Sequence, residues 1–157
     1  MQCKERLEAY LRKHKVPYKL QHHTQAFSAQ KIAEREHIPG KTIAKPVMVM
    51  VDSQLIELVL PAPYKVDFNK LQLILGATDL RLADESEFAN VFPDCEVGAM
   101  PPFGNHYGIA VYVEKHLTED ETIVFPVGTH TDTMSLKYAD FERLVHPRVV
   151  ECAHTHA

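Results

Sequence analysis

AKPVMVMVD, residues 44–52, runs almost directly into QLIELVLPA, residues 54–62. Both segments are apolar and rich in β-branched residues. Little more than Asp52-Ser53 separates them, so the spacing predicts a β-hairpin. The first segment is apolar at nearly every position instead of every second one, which marks a central strand covered on both faces. The remaining elements have to be arranged around this pair.

Upstream, Glu5–Lys13 reads as an amphipathic helix with Leu7, Tyr10 and Leu11 on one side, ended by Val16-Pro17. Tyr18–His22 alternates weakly, as a short strand does. Ser28–Glu36 reads as a second helix with a serine N-cap, broken by HIPGK. Downstream, Asp67 caps a helix that runs to Leu75 and closes at Gly76. LRLA is a short strand, and Asp84 and Glu87 have capping-box spacing. YGIAVYVEK, ETIVFPVG and TDTMSLK are further strands, YADFERLV a late helix, RVVEC a short strand and AHTHA a frayed tail. Helices and hairpins interleave irregularly, which predicts an α+β (mixed α/β) fold around one mixed sheet. Residues 1–157 read as a single compact domain without internal repeat or linker.

No apolar run approaches the roughly 18 residues of a membrane helix. The start of the chain is charged and lacks the apolar core of a secretory signal, so the expectation is a cytoplasmic protein with no membrane partner. Cys3, Cys95 and Cys152 are odd in number and have no C-x-x-C spacing, which fits no disulfide framework. A net charge of −4 argues against a protein that coats DNA or RNA, but is compatible with one that touches only a nucleic-acid end. Lys4, Arg6, Arg12, Lys13, Lys15 and Lys19 crowd the N-terminal segment. They make either a solvated helix face or a contact for a nucleic-acid stem.

Some suggestive patterns fail on inspection. GKT at Gly40–Thr42 lacks the glycine five positions earlier that a P-loop requires, Arg35 standing there, and it precedes a strand. Ten histidines invite a metal, yet only His22-His23 and the tail Cys152, His154 and His156 are clustered, without zinc-finger or H-E-x-x-H spacing. Cys95 and His106 flank a loop but carry no local signature of a cysteine hydrolase, so Cys95 reads as a structural thiol.

Lys45 is more informative. Pro46 biases it towards extended geometry, and it opens a buried strand. Such a lysine either snorkels to water or finds an anionic partner. GAMPPFG, Gly98–Gly104, is the second unusual feature. Its glycines permit close backbone approach, and its prolines lock φ. The run is either a pre-ordered wall for a ligand or a turn that closes the sheet.

Lys45 in AKPVMVMVD, then CEVGAMPPFG, then the glycine-led VGTHTDTMSL together resemble the YbaK/prolyl-tRNA synthetase-associated editing domain family, over roughly Leu7–Val150. The resemblance implies a curved, barrel-like mixed sheet flanked by helices, and a trans-editing aminoacyl-tRNA deacylase. Such an enzyme hydrolyses the ester joining a wrong amino acid to the tRNA 3′ end. Lys45 matches the family's essential lysine, which engages the terminal phosphate or ribose. Gly98, Ala99, Met100, Pro101, Pro102, Phe103 and Gly104 match the loop lining the aminoacyl pocket. Gly128 and His130 fall where the glycine-led strand approaches the substrate. The ester is already activated, so orientation and water placement suffice, without metal, cofactor or covalent nucleophile. The implied partners are the tRNA acceptor end and an aminoacyl-tRNA synthetase. Small amino acids such as alanine, cysteine or serine are the expected cargo, because a pocket separates close analogues by only ~1–3 kcal/mol per methylene. Met100, His130 and Met134 are candidate walls. The alternative is a non-catalytic module that binds a tRNA end or a synthetase.

Overall fold

The computed structural model describes residues 2–23 and 42–155. The helix expected over Ser28–Glu36 and most of the GKT run lie outside them. Four helices and ten strands are described: α1 (Cys3–Lys13), β1 (Lys19–His22), β2 (Ala44–Val51), β3 (Gln54–Pro61), β4 (Tyr64–Val66), α2 (Phe68–Leu75), β5 (Leu80–Leu82), α3 (Glu85–Phe88), β6 (Ala110–Glu114), β7 (Thr122–Pro126), β8 (Asp132–Lys137), α4 (Tyr138–Val145), β9 (Arg148–Val150) and β10 (Ala153–Thr155).

β2 and β3 form the expected hairpin, from Ala44 opposite Pro61 to Val51 opposite Gln54. Asp52 and Ser53 both take positive φ, 48° and 72°, the turn whose twist matches the flanking strands. The Asp52 carboxylate also accepts from the amides of Thr78 and Asp79. That fixes the turn feeding β5, which pairs antiparallel with β2. On the other side, β6 and then β9 join in parallel, giving a five-stranded mixed sheet of order β5-β2-β3-β6-β9. The hairpin is therefore central, as its apolar pattern demands.

The fold is mixed α/β, as expected, but its strands divide among three sheets and close no barrel among the described residues. β1, β8 and β7 form an antiparallel sheet, tied to the first by a bridge between Ile43 and Val124. β10 pairs with β4, so the tail expected to fray is held by a ladder as far as Thr155. Cys152, just before it, is fully buried, and its carbonyl accepts from the Asp67 amide.

Side chains alternate across the central sheet. Val59, Val111 and Val113 face the main core, which holds Leu7 and Leu11 of α1, Phe103, Phe125 and Phe141. Ile56, Leu58 and Val49 face a second cluster under α2, around Leu71. α2 begins where the Asp67 side chain accepts from the Lys70 amide and ends at Gly76 in the left-handed conformation, as the sequence predicts. In α3, the Glu87 carboxylate accepts from the Asp84 amide, one half of a capping box.

Candidate active site

A cavity of about 220 Å³ opens where the start of β2 meets the turn between β7 and β8. Lys45 and Pro46 line one side, Gly98 another, and Thr129, His130, Asp132 and Thr133 the third. Residues far apart in sequence converge here because β2 is central and the β7–β8 hairpin docks against its first residues.

Lys45 is part-buried. Among the described residues its ammonium donates to two backbone carbonyls, of Ala62 at 3.4 Å and Tyr64 at 3.2 Å. Burial, with a smaller push from the positive charge of Lys65, lowers its pKa. No carboxylate among the described residues pairs with it, so an anionic ligand would restore what burial withdraws.

The Gly98 wall is built by a backbone exchange. Glu96 N–H donates to the Gly128 carbonyl and Gly128 N–H to the Ala99 carbonyl, each at 2.8 Å. Gly98 sits in this lacing at φ +85°, and a Cβ there would lie 3.3 Å from Cε1 of His130. The absent side chain is the space the imidazole uses. His130 is fixed twice, its amide donating to the Glu96 carboxylate (2.9 Å) and its Nε2 to the Val97 carbonyl (2.8 Å).

Of the ten positions picked out in the sequence, Lys45, Gly98 and His130 come together on this cavity. The rest of the loop runs behind it. Ala99, Met100, Pro101, Pro102, Phe103 and Gly104 are buried. Met100 packs with Met48, Phe92 and Ile109, and Phe103 stacks edge-on against Phe141 in the main core. Gly104 donates its amide to the fully buried Glu57 carboxyl at 2.8 Å. Gly128 faces away, against Cys3 of α1, on a neighbouring recess of about 130 Å³. Met134 is wholly in the main core. The stiff loop is thus a buried support whose first residue alone reaches the cavity.

Sequence reasoning missed Thr129, Asp132 and Thr133. The Asp132 carboxylate accepts from Thr129 Oγ1 at 2.6 Å and pairs with His22 Nδ1 at 2.7 Å. Burial opposes its ionisation, but hydrogen bonds from Thr129 and His22 and the positive charge of Lys4 outweigh burial and hold the carboxyl below its ordinary pKa. The signal was present in GTHTDT, a run of short hydroxyl and carboxylate side chains that bond their own turn.

The flanking pair Cys95 and His106 is not assembled as a catalytic couple. Cys95 contacts Asp94 and the Tyr107 hydroxyl, and a hydrogen bond with Cys3, then burial, push its thiol well up. His106 packs on Tyr10 and Phe103 instead. Among the described residues no three His, Cys, Asp or Glu side chains gather as a metal would require.

A compact mixed α/β domain with a small cavity, positive at one side and negative at another, is the class of protein that fold and site define. The sequence places it more closely. Residues 23–144 match the aminoacyl-tRNA editing domain, and the chain belongs to that family. Three solved structures share the fold. The hypothetical protein APE2540 is 15% identical with a TM-score of 0.84, covering 94% of this chain and 99% of that one. A proposed trans-editing enzyme for prolyl tRNA synthetase is 16% identical with a TM-score of 0.83, covering 97% of each chain. A scaffold used for computational epitope grafting is 16% identical with a TM-score of 0.84, again covering 97% of each. Comparison with curated proteins finds no match. Among the described residues no helix is long and apolar enough to cross a membrane.

Proposed function

We propose that the protein is a freestanding, cytoplasmic aminoacyl-tRNA deacylase, one domain over residues 1–157, that clears small amino acids such as alanine, cysteine or serine from mischarged tRNA. The observation that carries this reading is the convergence of Lys45, Gly98 and His130 on one cavity. The Lys45 ammonium engages the terminal phosphate or ribose. The Gly98 wall and the His130 ring bound the aminoacyl group. Water attacks the ester carbonyl carbon, backbone donors stabilise the oxyanion, and the ribose oxygen leaves with a proton, releasing the amino acid. At about 220 Å³ the cavity suits a small aminoacyl group. The partner is the tRNA acceptor end, presented free or by a synthetase.

Incubation with a panel of mischarged tRNAs tests this directly. At least one small aminoacyl ester is expected to disappear faster than in buffer. Lys45→Ala is expected to lower kcat/KM by about 100-fold or more, the typical loss for a preorganised electrostatic group. No turnover across the panel, or full activity in Lys45→Ala, would refute the proposal. Binding without turnover would favour a non-catalytic module.

A further inference from the structure

The cavity carries a second charge opposite in sign to Lys45. Asp132 opens β8 on the cavity wall, with its side chain only 13% exposed. One carboxylate oxygen accepts from the Thr129 hydroxyl and the other pairs with His22. Thr129 in turn accepts from the amides of Thr131 and Asp132, so the carboxylate stands on a braced turn. Each carboxylate oxygen has two acceptor sites, and among the described residues each takes one hydrogen bond, which leaves capacity for a further donor. A polar group kept ionised at a cavity wall, with acceptor capacity left, fits a cationic ligand group.

The end of an aminoacyl-tRNA carries two charges near the scissile ester. The phosphodiester is anionic, and the α-amino group, with an ordinary pKa of about 8, is largely cationic at neutral pH. Taking the deacylase reading as its basis, we infer that Asp132 binds the α-ammonium group of the aminoacyl ester, so that the cavity reads the substrate as a dipole with phosphate at Lys45 and ammonium at Asp132. The site then selects esters of α-amino acids over esters of the same size that lack the amine, whatever the side chain. Thr129 acts through Asp132 as a positioning residue.

Two non-hydrolysable probes isolate the ammonium: 3′-alanylamino-3′-deoxyadenosine and its 3′-lactylamino counterpart, in which a hydroxyl replaces the amine at nearly equal size. Both are titrated calorimetrically against the full chain. The unaltered protein is expected to bind the alanyl probe about 10- to 100-fold more tightly, the range for a charge-assisted hydrogen bond. Asp132→Asn is expected to lose that preference while its affinity for the lactyl probe changes little. Thr129→Val, which keeps the carboxylate but removes one brace, is expected to lose part of it, and it serves as the test if Asp132→Asn fails to fold. Equal binding of the two probes by the unaltered protein, binding of neither, or an unchanged preference in a folded Asp132→Asn or Thr129→Val variant would overturn the inference. The mischarged-tRNA panel separates the two claims. Turnover without amine preference leaves the deacylase reading standing alone, and amine preference without turnover leaves only the binding site.

Discussion

Glu57 has no solvent exposure, and its Oε2 has no hydrogen-bond partner among the described residues. Burial pushes its carboxyl pKa up to about 8 from 4.5, against the pull of the Gly104 amide. The neutral form therefore holds the loop, and its stabilising effect is complete below pH 4.5 and lost as pH rises to about 8. Glu57→Gln keeps an acceptor for Gly104 and cannot ionise. Its stability relative to the unaltered protein should rise between pH 5 and 8.5, by several kcal/mol at about 1.36 kcal/mol per pKa unit. Denaturant titrations across that range check it, and a pH-independent difference would show that Glu57 does not titrate high. Gly98 offers a second test. Gly98→Ala and Gly108→Ala both place an L-residue at positive φ, +85° and +76°, yet only at Gly98 does the new methyl meet a neighbour, the His130 ring. Both should lose about 1–2 kcal/mol of stability. Deacylation should fall about tenfold or more only in Gly98→Ala, because small displacements at a reacting centre are costly. Equal activity losses in the two variants would remove His130 from the site.

The hairpin, the caps of α2 and the strands β6 to β8 were legible because each is specified by neighbours in sequence: alternation, a capping aspartate, a closing glycine. β4 and β10 were not, because three residues of strand gain their stability from a partner about ninety positions away. GAMPPFG was legible as stiff, but its direction was not. Whether Met100 and Phe103 face a cavity or a core depends on where the β7–β8 hairpin docks, and nothing local encodes that. Gly128 shows the same limit. The resemblance matches it to a substrate position, and in the structure it gives room to α1, where a Cβ would lie 3.0 Å from Cβ of Cys3. Gly128→Ala should therefore loosen α1 at a cost of about 2–4 kcal/mol, combining positive-φ strain with overpacking. Thiol labelling reads this: Cys3, 2% exposed, should react faster, while Cys152, beneath the central sheet, should keep its rate. Unchanged labelling of Cys3 would show that the contact is soft.

The charge of the whole chain constrains how much of a tRNA it grips. Net charge is −4, and the N-terminal cations that crowd the sequence are partly spent internally, Arg6 on Asp94 and Arg12 on Glu8. The arrangement suits an enzyme that holds the terminal phosphate through Lys45 and little else. Each phosphate neutralised on a single strand contributes about −0.7 to the slope of log affinity against log salt. One or two contacts predict that raising salt from about 50 to 200 mM weakens substrate binding only roughly three- to sevenfold, against the thousandfold or more of proteins with many phosphate contacts. Lys45→Ala should flatten the slope by about 0.7, whereas Lys13→Ala, on the outer end of α1, should leave it unchanged. The measurement is binding of a non-hydrolysable aminoacyl-tRNA analogue as a function of salt, for the three proteins side by side. A steep slope that Lys13→Ala reduces would mean that α1 lies along the acceptor stem, and that this face, and not the cavity alone, recognises the tRNA.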